Sequence, residues 1–208
     1  ICNLFSIKFY IMLIRIFIIL GFSFIIGFNN LEISQEYSKI MWQGLKSTGS
    51  SHHGLISLKE STINIDDGKI TGGHIIIDMS SITCLDIKDT NSNKGLIGHL
   101  KSDDFFSVSD FSEASLHLVE INKLDDNNPH SYNISAKLTI LDKTHPIYFD
   151  TSIQLVENGA RAEGKIEIDR ALYGIKYKSK SWYTDLGDNF INDIFYLYFS
   201  LVAIPPEK

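Results

Sequence analysis

From Ile40 onward the hydrophobic positions recur with a period of two, not the 3.6 of a helix. The clearest run is Ile134, Ala136, Leu138 and Ile140, with Asn133, Ser135, Lys137 and Thr139 between them. Successive side chains of a strand point to opposite faces, so this run reads as a strand with one face buried. Ile147, Phe149, Thr151, Ile153 and Leu155 share one face in the next segment, and Ala162, Gly164, Ile166 and Ile168 do so in the one after. Asp142-Lys143-Thr144-His145-Pro146 and Glu157-Asn158-Gly159 carry turn chemistry between them, which predicts a meander of antiparallel strands. Earlier strands are predicted at Ile40–Ser47, Gly54–Lys59, Gly72–Met79 and Ser115–Asn122, and a last one within Ile191–Ala203. The turn Asp66-Asp67-Gly68 precedes the third of these. The stretch Asn93–Phe106 is the one break in the alternation, and its Leu96, Ile97, Leu100, Phe105 and Phe106 suit a short helical insertion.

About eight strands in one domain predict an all-β, closed antiparallel barrel, because closure removes exposed sheet edges. Such a barrel is wide enough to be filled by its own side chains or to hold one small ligand. A two-sheet sandwich is the alternative architecture.

The start of the chain follows a different pattern. Leu4 to Phe28 is almost wholly apolar, interrupted by Lys8 and Arg15. With Met12 as a candidate start, Arg15 forms a basic n-region and Ile16–Phe28 a short h-region. A membrane span takes roughly 20 residues, so residues 1–30 read as a cleaved signal peptide, with an uncleaved anchor at residues 12–28 as the alternative. Residues 31–208 then form the barrel domain. The expected location is periplasmic or secreted, or membrane-anchored, with membrane contact through the N-terminal segment.

The 208 residues suffice for one such domain, and an aromatic fraction of 12% carried mostly by Phe and Tyr favours strands. The net charge is −6, and loss of residues 1–29 removes Lys8 and Arg15 but no acid, taking it to −8. So acidic a domain is a poor match for nucleic acid, and no nucleic-acid partner is expected. Cys84 is alone once Cys2 is removed, so no internal disulfide forms and stability must come from the core.

Four stretches together resemble the YceI-like family, the bacterial polyisoprenoid-binding proteins of lipocalin-like fold. The first is Trp42-Gln43-Gly44-Leu45-Lys46 with His52-His53-Gly54, and the second Gly72-Gly73-His74 through Ser80-Ser81-Ile82. The third, Gly98-His99-Leu100-Lys101-Ser102-Asp103-Asp104-Phe105-Phe106-Ser107-Val108, is the most specific. The fourth joins Leu138-Thr139-Ile140-Leu141-Asp142-Lys143-Thr144-His145-Pro146-Ile147 to Asp169-Arg170-Ala171-Leu172-Tyr173-Gly174-Ile175. The resemblance implies a single lipocalin-like barrel whose elongated apolar cavity binds an isoprenoid chain, in an exported protein that is not an enzyme. The implied partner is an apolar lipid. No cofactor is expected beyond a bound isoprenoid-type lipid, and monomer and homodimer both stay open.

Candidate cavity residues are the inward faces of the predicted strands and the insertion. They are Trp42 and Ile76; Leu100, Phe105 and Phe106; Leu116 and Leu118; Ile134, Leu138 and Ile140; Phe149 and Ile153; and Ile166 and Ile168. The competing reading is that they fill a solid core, leaving a structural or interaction module whose function lies on an outer face or in the loop Asp125–His130. A third reading makes His99, Ser102 and Asp103 a hydrolytic triad. In one short segment they are better suited to cap and pin the insertion, with Ser102 or Asp103 accepting backbone N–H bonds at a helix start. His52, His53, His74 and His99 have no recognised metal spacing, so no metal site is expected. Arg170 is expected to close one barrel end by pairing with a carboxylate such as Asp78 or Asp103. Trp42 is expected to plug the barrel floor or to sit at the cavity mouth with its N–H bonded outward, and Cys84 to be a small core residue.

Overall fold

The computed structural model describes residues 30–125, 127–156, 159–187 and 189–206. The predicted signal or anchor at the start of the chain lies outside them. The strands are β1 (Asn30–Ile33), β2 (Lys39–Lys46), β3 (Ser51–Leu58), β4 (Thr62–Asp66), β5 (Lys69–Asp78), β6 (Glu113–Asp125), β7 (Asn128–Ile140), β8 (Lys143–Val156), β9 (Gly159–Asp169) and β10 (Ile191–Ile204). All pairings are antiparallel, in the order β1-β4-β5-β3-β2-β10-β9-β8-β7-β6, and β5 also pairs with β6 and β1 with β10, which closes the sheet.

Eight walls make this ring, because two of them are bent strands. β3 meets β5 only at Ser57↔Asp78 and Leu58↔Ile77, while β4 takes over lower down, from Thr62↔His74 to Asp66↔Lys69. On the neighbouring wall β2 pairs with β10 from Ile191 to Ser200, and β1 takes over at Ala203 and Ile204. Each bend would strand backbone groups of the adjoining strand, and a serine hydroxyl meets them. Ser61, buried, accepts the Ile76 N–H at 2.9 Å, and Ser38 accepts the Val202 N–H at 3.0 Å. β1 and β4 were absent from the sequence reading, which placed its first strands at Ile40–Ser47 and Gly54–Lys59.

The alternation otherwise holds. Ile134, Ala136, Leu138 and Ile140 are all buried, as are Phe149, Thr151 and Ile153 on β8 and Ala160, Ile166 and Ile168 on β9. The β4–β5 hairpin turns on Asp67 and Gly68, both at positive φ (47° and 69°), the conformation an Asp-Gly pair adopts most readily. The β7–β8 turn falls at Leu141 and Asp142, so His145 and Pro146, predicted as turn residues, lie inside β8.

The chain leaves the sheet twice, not once as the alternation predicted. After β5 a short 3-10 turn (Met79–Ser81) leads to helix α1 (Thr90–Lys101), then loops back to β6. After β9, residues 170–190 make a second excursion before β10. Helix α1 starts earlier than the predicted insertion because Asp89 caps it, accepting the Ser92 N–H at 2.8 Å. It ends at Lys101, so Phe105 and Phe106 follow the helix rather than belong to it. Among the described residues no helix is long and apolar enough to cross a membrane.

One close approach fastens the first excursion to the barrel. Thr83 and Leu85 donate backbone N–H groups to Leu55 and His53 of β3, each at 2.9 Å, covering the edge that β5 leaves free above Ser57. The Thr83 carbonyl passes over Gly54 to accept the Trp42 indole N–H at 2.9 Å. A Cβ on Gly54 would lie 1.8 Å from that carbonyl oxygen, so only glycine lets the segment dock. Gly54→Ala is therefore expected to destabilise the protein by more than about 3 kcal/mol, with the Trp42 environment altered. Thermal unfolding followed by tryptophan fluorescence checks this; an unchanged Tm would contradict it.

Candidate functional site

The barrel interior contains two stacked cavities. The upper has a volume of about 410 Å³ and the lower about 110 Å³. Ile77, Leu138, Ile168 and Leu197 line both and form a waist between them. In the lower chamber Thr151 and Arg161 are the only polar liners among the described residues; Ile, Leu, Phe and Ala make up the rest. The upper chamber has apolar walls, with Ile56, Ile140, Phe195 and Leu197 among them, and a polar rim. Gly44 on β2 faces this space with no atom within 4 Å of where a Cβ would stand.

Both excursions of the chain cover the upper end. From the first come Leu96, His99, Leu100, Phe105 and Phe106; from the second Tyr177, Lys178, Asn189 and Phe190. They meet through aromatic packing: the His99 ring stands edge-on to Phe105 at 4.9 Å and to Tyr177 at 4.5 Å, centroid to centroid. Phe106 in turn packs against Phe195 of β10 at 6.3 Å.

Arg170 holds the second excursion. Its guanidinium, 3% exposed, donates from Nε to the Asn192 carbonyl, from Nη1 to that of Ile175 and from Nη2 to that of Ile191, at 3.2, 3.2 and 3.0 Å. Its charge partner is Asp193 at 3.3 Å. Burial pulls the Arg170 pKa down, while Asp193 and Asp169 oppose that shift. Burial also pushes the Tyr173 hydroxyl up to about 12, and its ring packs edge-on to His145 at 5.1 Å. Beyond β10 and β2, the His52 ring, inward on β3, hydrogen-bonds Asp86 at 2.7 Å.

Thirteen of the fourteen predicted cavity residues line these chambers. Trp42, Leu100, Phe105, Phe106 and Ile140 surround the upper one; Leu116, Leu118, Ile134, Phe149, Ile153 and Ile166 the lower; Leu138 and Ile168 both. The exception is Ile76. Ile75 and Ile77 point inward, so Ile76 lies on the outer face with His74 and Asp78. Trp42 stands at the upper cavity with its N–H bonded to the Thr83 carbonyl. Cys84 is buried, its Sγ 3.4 Å from Asp86.

The polar assignments need correction. Ser102 caps the C-terminus of α1, not a helix start, and its hydroxyl donates to the His99 carbonyl at 2.8 Å. Asp103 is exposed and accepts the Ser107 hydroxyl at 2.8 Å, while the His99 ring pairs with Asp104 at 3.0 Å. The three residues thus form no relay through their side chains. Arg170 pairs with Asp193 instead of Asp78 or Asp103; Asp78 accepts from Ser80 in the 3-10 turn. The four histidines occupy three places: His52 and His53 beside Asp86, His74 outside against His117, and His99 at the end of α1. The sequence reading missed Asp86, Tyr177, Phe195 and Leu197. Leu197 and Phe195 share β10's alternation with Phe199 and Leu201, a signal that was available.

These features define a closed barrel of lipocalin-like form around an apolar interior, capped at one end. The family model described as YceI-like domain matches residues 31–203, and the chain belongs to the YceI-like family. Among solved structures it is similar to Burkholderia cenocepacia BcnA (TM-score 0.62, 19% identity, covering 82% of this chain and 98% of that one). It is also similar to a polyisoprenoid binding domain from Saccharophagus degradans implicated in plant cell wall breakdown (TM-score 0.63, 15% identity, 86% and 100%). The Campylobacter jejuni YCEI protein is a further neighbour (TM-score 0.51, 17% identity, 74% and 82%). At these identities the likeness is one of fold. No curated protein matches the chain in sequence.

Asp86, behind His52 at the rim, is the carboxylate most shifted by its surroundings among the described residues. Burial pushes its carboxyl up, but the His53 backbone N–H at 2.9 Å, the His52 ring and the Cys84 thiol outweigh this and hold it at about 2. A depressed carboxylate pKa contributes stability that is present above its ordinary value of 3.8 and is lost as pH falls through about 2. Asp86→Asn is accordingly expected to lower the Tm at neutral pH, with the gap from the parent protein narrowing between pH 4 and pH 2. Thermal melts across that range check it, and a gap independent of pH would contradict it.

Proposed function

We propose that the chain is a lipid-binding protein that sequesters or carries an isoprenoid or similar long apolar ligand inside its barrel. The observation that carries this reading is the upper chamber. Its volume of about 410 Å³ falls within the roughly 300–1,000 Å³ of small-molecule sites, and its apolar walls run on through an aliphatic waist into the lower chamber. An aliphatic tail gains about 0.8 kcal/mol for each CH₂ it buries, so such walls need few polar contacts to bind one. The Saccharophagus degradans neighbour, described as a polyisoprenoid binding domain, supports the same ligand class.

The chamber argues against the solid-barrel interaction module, whose interior would be filled. The scattered hydrogen bonds of His99, Ser102 and Asp103 favour binding over catalysis, since none of the three hands a proton to another through its side chain. Periplasmic or secreted residence is part of the proposal and rests on the apolar stretch Leu4–Phe28. Retention of that stretch would make the protein a tethered receptor instead.

Native mass spectrometry of the protein purified without detergent, followed by organic extraction, tests the reading. The expected result is a stoichiometric adduct released as an isoprenoid; protein that is empty and takes up no added polyprenyl lipid would overturn it. Gly44→Phe provides the control. Its ring projects into open space, so the fold is expected to persist while lipid uptake falls about tenfold or more, as a filled pocket requires.

A further inference from the structure

The lining of the upper chamber at its rim is rich in basic residues. Lys46, Arg170 and Lys178 line the rim with His52 and His99, and among the described residues the acids Asp86, Asp104 and Asp193 stand behind this lining rather than in it. This stands out in a chain with 25 acidic residues against 19 Lys and Arg. The backbones of Lys46 and Lys178 and the guanidinium of Arg170 all meet one residue, Ile191 of β10. Lys46 is its ladder partner on β2, the Lys178 carbonyl accepts its N–H at 2.9 Å, and Arg170 Nη2 donates to its carbonyl.

The five are not equivalent. Arg170, His52 and His99 already face Asp193, Asp86 and Asp104. Lys46 and Lys178 have no ion-pair partner among the described residues. Lys46 stands at the top of the inward face of β2, above Trp42 and Gly44. Lys178 sits at φ 48°, a left-handed backbone that a residue with a side chain adopts at a cost, held there by the bond from Ile191. Thr48 and Asn189 add neutral polar groups to the same rim.

We propose that the rim is an anion subsite, and that the lipid carries an acidic head, a phosphate or a carboxylate, seated between Lys46 and Lys178 with its tail in the chamber below. The proposal rests on the lipid-binding reading above. Lys46 and Lys178 are both exposed at the mouth of the chamber, so an anionic head seated there meets them from the solvent side, and charged hydrogen bonds supply the selectivity over a neutral alcohol head.

Three probes with one tail separate the possibilities: farnesol, farnesoate and farnesyl phosphate, titrated into the protein by calorimetry at low and at high salt. An anionic probe is expected to bind roughly tenfold or more tightly than farnesol at low salt, the size of effect a charged hydrogen bond gives, with the advantage shrinking as salt is raised. Preference for farnesyl phosphate over farnesoate assigns a phosphate head, and the reverse a carboxylate. In the Lys46→Gln, Lys178→Gln double variant the ratio of anion to alcohol affinity is expected to fall to about one, while circular dichroism reports an unchanged fold. Equal affinity for farnesol and both anions, or a preference that survives the double variant, would overturn the subsite and leave the lipid reading standing. Failure of all three probes to bind would remove both.

Discussion

The interior of this protein exists because the sheet closes on itself. With β6 returning to β5 and β10 meeting both β2 and β1, each residue in a strand is committed either to the inside or to solvent. The space left within is then fixed by the size of the inward residues. In the lower chamber Phe199 packs over Gly164, where a Cβ would stand 2.7 Å from its ring, and Phe149 meets Phe199 edge-on at 6.0 Å, which keeps that space small. Where four branched aliphatic side chains converge, at Ile77, Leu138, Ile168 and Leu197, the space narrows to the waist.

Closure alone leaves the ends open, and the chain treats the upper end with polar chemistry. Two excursions that set Met79, Ile82, Phe105, Tyr173 and Ile175 into the core are further secured by polar bonds: the Thr83 carbonyl on Trp42, Asp86 on β3, and the Arg170 guanidinium on the Ile191 and Asn192 carbonyls of β10 and the Ile175 carbonyl of the excursion. Burying a guanidinium is costly unless its donors are met and its charge is countered, and Asp193 with the three carbonyls satisfies both conditions. The cap is thereby held in place without filling the chamber beneath it.

Much of this was legible in the sequence. A clean alternation such as Ile134 to Ile140 assigns faces without ambiguity, and the residues it marked do line the interior. Ile75-Ile76-Ile77 has no alternation to read, so choosing the middle isoleucine as inward put it on the wrong face. β1 and β4 are too short to show a period, and they arise from bends that serine side chains make affordable only once the neighbouring strand is in place. The partner of Arg170 was out of reach for a related reason. Asp193 lies across a loop whose path is set by the fold, so its nearness to Arg170 leaves no mark in the sequence. Whether the core was hollow or solid depended on how side-chain volumes sum around the ring, which no single strand reveals.

The bonds between Ser38 and Val202 join positions 164 apart in the chain. The edges of β1 and β2 therefore have no lasting partner until the final strand has been made, since β10 alone completes their side of the ring. Most other walls form between strands nearer in sequence, whereas this seam closes the longest loop in the ring. A nascent or truncated chain that stops before residue 191 leaves the edges of β1, β2 and β9 unpaired at once, the state most open to pairing with another copy.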